Sequence, residues 1–190
     1  MRVRTEDKRQ AITEVALEVF REVGFERASM AMISRRLGGS KGTLYGYFRS
    51  KEELFEIAMK SASEGPGDQI MDLLNPKSAD LRAVLKRFGK AYLSFILGEE
   101  VLAITRTAIS EGSGSSLGPH LFDQGPGRAL QKMTIFFDQL MNNGQLPKRS
   151  PATAALHFKG LLEAGFLENA LYGAAPCKEK AITEAVDAFL

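Results

Sequence analysis

Between residues 29 and 51 the sequence gathers side chains that can hold a polyanion and read the edges of bases. Lys41 can reach guanine O6/N7 or a phosphate, and Thr43 can touch a thymine methyl or a base edge. Tyr45, Tyr47 and Lys51 offer two hydroxyls and a cation to flanking phosphates. Ser29 and Ser50 are positioned to open helices whose first N–H groups lack partners, and such groups bind phosphate oxygens. Gly42 and Gly46 lie nearly opposite Leu44 on a helical projection. Each costs about 1 kcal/mol relative to alanine inside a helix. Their placement points to a surface where backbone approaches another molecule closely.

Those groups need two short helices and a turn. The pattern predicts a helix from Ser29 to about Leu37, a turn at Gly38-Gly39, and a second helix over 41–47 capped by Ser40. That is the layout of a helix-turn-helix. At ~1.5 Å per residue the second helix is about 10 Å long and fits a major groove roughly 12 Å wide. It is too short to persist alone in water. Leu44 and Phe48 supply its anchor, against Ile33 and a stripe on the preceding helix (Ile12, Val15, Ala16, Val19, Phe20, Val23). Gly24 is the expected stop of that first helix. Ser50 with Glu53 forms a capping box for a fourth helix.

Charge agrees with this placement. The chain of 190 residues carries a net +2, but residues 1–51 hold 11 Lys/Arg against 6 Asp/Glu, and the remainder is net acidic. A basic first quarter suits a nucleic-acid partner for that part alone. A single cysteine, Cys177, excludes an internal disulfide framework, and two histidines make a metal site unexpected. No apolar run approaches the ~18 residues of a membrane span, and no secretory leader is visible, so a cytoplasmic setting is expected.

Helical spacing continues to the end, with expected helices at 68–74, 79–97, 99–111, 117–124, 127–143, 151–172 and 177–189. The fold class is all-α. Gly65-Pro66-Gly67 marks the boundary between a domain at 1–61 and another at 68–190. The Gly/Ser-rich stretch 112–118 reads as a loop.

Residues 9–60, and most specifically the stretch GGSKGTLYGYF at 38–48 with Lys51, resemble the DNA-binding domain of TetR-family repressors. The resemblance implies that Lys41, Gly42 and Thr43 lie nearest the bases, and that Ser29, Tyr45, Tyr47 and Lys51 hold phosphates. Two residues depart from the family pattern. Gly39 replaces the usual valine, which predicts a looser turn. Gly46 stands where a larger residue often touches DNA.

Residues 81–173 resemble the effector domains of the AefR-like subgroup, through Arg106, Phe122, the Gly125-Pro126 break and the Gly144 stop. This implies a ligand-binding and dimerising domain. Helices 127–143 and 151–172 are the expected dimer contact, eased by Ala152, Ala154, Ala155, Gly160, Ala164 and Gly165. The aromatic faces of this region are either ordinary core or the wall of an effector cavity. The cavity reading assigns Phe88, Tyr92, Phe95, Phe136, Phe137 and Phe158 to an apolar ligand, with Arg106 or His157 as polar anchors. Arg106 alternatively pairs with Glu99, Glu100 or Asp138. Catalytic motifs are absent, so neither an enzyme nor a cofactor is expected. The expectation is a homodimeric repressor that binds a palindromic double-stranded operator and is released by a small, largely apolar effector. The alternative is a DNA-binding architectural protein with no effector.

Overall fold

The computed structural model describes residues 5–111, 117–174 and 181–190. Its helices are α1 (Glu6–Arg27), α2 (Met30–Arg36), α3 (Lys41–Tyr47), α4 (Lys51–Met71), α5 (Leu81–Ile96), α6 (Glu99–Glu111) and α7 (Leu117–Phe122), then α8 (Arg128–Asn142), α9 (Pro151–Glu163), α10 (Leu167–Leu171) and α11 (Ala181–Phe189). No strand occurs among the described residues, so the fold is all-α. Most of the loop expected at 112–118, and the expected helix start at 177 with Cys177, lie outside the described residues. No helix among the described residues is long and apolar enough to cross a membrane.

The chain divides into two compact units, Met1–Glu64 with Arg106–Leu121, and Gly65–Thr105 with Phe122–Leu190. In the first, the α1 stripe buries Ile12, Ala16, Val19 and Phe20. The backbone leaves the helix at Gly24 and then resumes for one turn through Arg27. That extra turn carries Phe25 inward, where its ring lies 5.9 Å from Phe20 and 4.7 Å from Phe55. Leu54, Phe55, Ala58 and Met59 complete the core from α4.

Three expected interruptions are resolved differently. Gly65-Pro66-Gly67 does not break the chain, because α4 continues to Met71. Two glycines and a proline oppose this by about 1 and 3 kcal/mol per residue. Packing offsets the penalty: Gly67 lies against the Phe95 ring, and Ile70 and Met71 pack on the second core. The Gly125-Pro126 break is a π-helical turn, Asp123–Gly127, that leads directly into α8. Its wider i→i+5 register accommodates a residue lacking an N–H. The helix expected over 151–172 is cut at Ala164-Gly165, where Gly165 takes φ +76°, a conformation that favours glycine. Gly144 ends α8 and Ser150 caps α9, as expected.

The second unit is built around aromatic rings. Phe88, Phe137 and Phe158 are fully buried. Phe137 and Phe158 each lie 5.0 Å from the Phe189 ring of α11, and 5.7 Å from one another.

Candidate nucleic-acid interface

The turn between α2 and α3 is tight. Gly38 takes φ +69° and its N–H donates to the Arg35 carbonyl at 3.2 Å, while the Gly39 N–H donates to the Ser34 carbonyl at 3.1 Å. This is the paired 5→2 and 6→1 bonding of a Schellman stop. The buried Ser34 hydroxyl adds a third bond, to the Gly39 carbonyl at 2.8 Å. The looser turn expected from Gly39 is therefore corrected. Hydrogen bonds to its backbone replace the apolar contact that a valine would make.

Both caps form. Ser29 Oγ accepts from Met32 N–H at 3.2 Å, and Ser40 Oγ accepts from Thr43 N–H at 3.1 Å. Ser40 does more than cap, because its hydroxyl also lies 3.0 Å from the Thr43 hydroxyl. One serine thus fixes both the backbone and the side chain of the residue expected nearest the bases. Leu44 and Phe48 are fully buried, which anchors α3 through one face. On the rest of α3, Lys41, Gly42 and Tyr45 are exposed, while Thr43, Gly46 and Tyr47 are half-buried. A Cβ added at Gly46 would meet nothing within 4 Å, and one at Gly42 only the Ser40 hydroxyl at 3.7 Å. Nothing among the described residues requires glycine at either place.

Two phosphate candidates have intramolecular partners that spacing could not reveal. The Tyr47 hydroxyl accepts from the Thr5 N–H at 3.3 Å, which leaves its own proton free to donate outward. Lys51 Nζ donates to the Phe25 carbonyl at 2.9 Å and sits 4.1 Å from the centre of the Phe25 ring. The ammonium expected on a phosphate is thus drawn to the end of α1 by a carbonyl and an aromatic face. Near by, Arg36 pairs in two-pronged fashion with Glu22, at 2.6 and 2.7 Å, and clips α2 to α1. Hydrogen bonding to the guanidinium holds the Glu22 carboxyl below its usual range.

The second unit separates the residues expected around an effector. Phe88, Phe136, Phe137 and Phe158 are core side chains, and stacking between rings leaves them between 0% and 3% exposed. Tyr92 stacks on Phe88, and its hydroxyl donates to Glu163 at 2.6 Å. Glu163 also accepts from Lys159 at 2.6 Å. Burial, then the charge of Glu163, pushes the Tyr92 phenol far above its ordinary range, so it stays protonated. Neither Lys159 nor Glu163 stood out in the sequence, because this polar cluster joins α5 to α9 across 71 positions. Phe95 is half-buried. His157 is exposed on α9, whereas its neighbour Phe158 is buried in the ring cluster. Arg106 belongs to the first unit. Of the small residues on α9, Ala154 and Ala155 are buried in the core, whereas Ala152 and Gly160 are exposed. Exposed beside them are Leu156 and Leu161, and Ile135 on α8.

Comparison with known proteins supplies the context. The sequence pattern of the bacterial regulatory proteins of the tetR family matches residues 12–58. That of the AefR-like transcriptional repressor C-terminal domain matches residues 83–190. The HTH-type transcriptional regulator BetI of Pectobacterium carotovorum subsp. carotovorum (strain PC1) is 29% identical over 188 residues, covering 95% of this chain and 91% of that protein. A TetR-family transcriptional regulator from Mesorhizobium loti MAFF303099 has a similar structure, with a TM-score of 0.89 and 25% identity over 100% of this chain and 98% of that one. The flavonoid-responsive regulator FrrA aligns with a TM-score of 0.77 and 26% identity, over 97% and 94% of the two chains.

Proposed function

Because the chain belongs to the TetR family of DNA-binding transcriptional regulators, we propose that it is a homodimeric repressor whose α3 enters the DNA major groove and whose second unit answers a small, largely apolar effector. The observation that carries the DNA half is α3 itself. It is capped at one end, buried along Leu44 and Phe48, and bare of side chains at Gly42 and Gly46. In this reading Lys41, Gly42 and Thr43 meet the bases, with Ser40 orienting Thr43. Ser29, Tyr45, Gly46 and Tyr47 face the flanking backbone. Lys51 acts by holding the start of α4 against α1 rather than as a leading phosphate contact.

The exposed faces of α8 and α9 carry the dimer, through Ile135, Leu156, Leu161 and the open surface at Gly160. Two α3 helices about one DNA turn apart, some 34–36 Å, or a multiple of it, would read a palindrome. The effector half is supported by the repressor subgroup matched at 83–190 and by the flavonoid-responsive regulator of similar structure. We assign its apolar contacts to the half-buried end of α5, at Phe95 and Ile96, rather than to the packed rings. Its polar anchor is the Tyr92–Glu163–Lys159 cluster. Effector binding shifts the dimer toward a different α3 spacing, and a coupling of about 1–3 kcal/mol changes DNA affinity about 5–150-fold.

The test begins with duplexes enriched from a random pool by the full-length protein. Enrichment of a palindrome supports the dimeric reader. A thermal-shift screen of apolar and aromatic metabolites then identifies effectors. A compound that stabilises the protein must also release the duplex, because coupling is reciprocal. A protein that binds its palindrome but gives no stabilised, DNA-releasing complex with any compound is the effector-free regulator.

A further inference from the structure

We propose that Gly65-Pro66-Gly67 is a breaking point built into α4. The helix runs on through it only while Phe95 and a clasp on Asp68 hold its far end, and a ligand that draws the Phe95 ring away opens it and weakens DNA binding. This rests on the reading of α3 as the DNA helix and of the α5 end as the effector contact. Local chemistry opposes a helix here. Pro66 has no N–H for the carbonyl four positions earlier, and its ring crowds that carbonyl. The glycine on either side loses more conformational freedom in a helix than any other residue would. Packing gives little support at the start of the run, since Gly65 and Pro66 are exposed and a Cβ at Gly65 would meet nothing within 4 Å. The boundary between the two compact units falls at this same point, between Glu64 and Gly65.

Support begins at the end of the run and comes from two sources. A Cβ built on Gly67 would stand 3.8 Å from Cε1 and Cζ of Phe95, so that ring packs on the backbone there. Asp68 then accepts from Lys132 Nζ at 2.5 Å and from Arg128 Nη2 at 3.0 Å, both on α8. The clasp has a particular place in the sequence. Gly-Pro-Gly occurs at 65–67 and again at 125–127, where it ends the π-helical turn ahead of α8. Asp68 directly follows the first run and Arg128 the second. One ion pair thus joins the residues at which both helix-opposing runs end.

A continuous helix and a broken one are two discrete arrangements, and a hinge needs only a few residues to absorb the change in φ/ψ. Phe95 is half-buried beside Ile96 at the end of α5, so an apolar ligand can compete for its ring. Ile70 and Met71, beyond the clasp, pack on the second core, so the far end of α4 stays with the second unit when the run opens. The near end of α4 begins at Lys51, four residues after α3 ends at Tyr47. An unbroken helix passes a shift of its far end to that start, whereas a broken one does not.

Two measurements on full-length protein test this: hydrogen exchange of the amides at 67–71, and anisotropy on the duplex enriched by the parent chain. Asp68→Asn and Phe95→Ala each remove one support. Each should speed exchange at 67–71 about tenfold while α8 and α9 keep the parent rate, and should weaken DNA binding about fivefold or more. Gly65→Ala/Pro66→Ala/Gly67→Ala removes the breaking point, and Cβ atoms at Gly65 and Gly67 meet no clash. It should slow the same amides about tenfold or more. In that background Phe95→Ala should cost less than about twofold in DNA affinity, a rescue that a merely structural role for Phe95 would not give. The breaking point is refuted if neither single variant alters exchange at 67–71, or if Phe95→Ala weakens DNA binding equally in both backgrounds. Faster exchange with unchanged DNA binding would overturn the link to DNA. Failure of the parent to enrich any duplex is a separate result that removes the α3 reading, and the exchange rates still decide whether α4 breaks.

Discussion

Replacing Gly46 with alanine should make the protein more stable and a poorer DNA binder. The two effects separate because they have different sources. A Cβ at Gly46 has no neighbour within 4 Å, and one at Gly42 makes only ordinary contact with Ser40 Oγ at 3.7 Å. Neither substitution meets a clash, so the helix-propensity gain of up to about 1 kcal/mol each is retained. For a chain of this size that raises the melting temperature by about 2–4 °C. On DNA the same methyl stands between α3 and the flanking sugar-phosphate backbone. Carbon atoms settle about 3.5–4.0 Å apart, so the helix must move outward. Polar contacts from Lys41 and Thr43 then stretch beyond the useful hydrogen-bond range. Losing one base contact per half-site costs about 1–3 kcal/mol, and the dimer loses two. Scanning calorimetry and fluorescence anisotropy on the enriched duplex measure the two quantities on one sample. A Gly46→Ala protein that melts higher yet binds the duplex unchanged would refute the close approach of α3. A variant that melts lower would show that the space beside Gly46 is filled in solution.

Thr43→Ala should relax specificity at one or two base pairs, whereas Ser40→Ala should do the same and also lose about 1 kcal/mol of stability as the cap disappears; a binding-site selection paired with urea melts separates them. Lys51→Ala should destabilise the first unit by about 1–2 kcal/mol through its lost bond to Phe25 and the ring beneath it. An unchanged melt combined with a shallower salt slope for DNA binding would return Lys51 to the phosphates. A Cβ at Gly160 meets nothing within 4 Å among the described residues, so Gly160→Glu should leave the fold intact and yield monomers in sedimentation velocity; a persistent dimer would move the interface off α9. Asp68 accepts from Lys132 at 2.5 Å and Arg128 at 3.0 Å, and these bases hold its carboxyl below the usual 3.8. Its contribution to stability is therefore full above pH 3.8 and disappears as pH falls below it through the lowered value. Asp68→Asn should flatten that acid limb in melts taken from pH 7 to 2.5, and an unaltered limb would mean that the pair adds nothing.

What the sequence determined alone is local. Ser29, Ser40 and Ser150 cap helices because a side-chain oxygen reaches an N–H three residues on, whatever lies elsewhere in the chain. Leu44 and Phe48 point inward because a spacing of four puts them on one face. The helix-turn-helix, its exposed polar residues and the all-α class follow from such short-range rules. Partners distant in sequence were not legible. The carbonyl that takes Lys51 is 26 positions away, and the N–H that takes the Tyr47 hydroxyl is 42 away. Nor could helical spacing tell a ring that lines a cavity from one that fills it, since both leave the same stripe. Phe158 became core only when α11 brought Phe189 to 5.0 Å. The G-P-G run inside α4 makes the same point in reverse: its local preference is to break the helix, and packing against Phe95 and the second core outweighs it. Short-range bonds are specified by the residues that make them, whereas a side chain with several possible partners is committed only when the folded chain decides which one arrives.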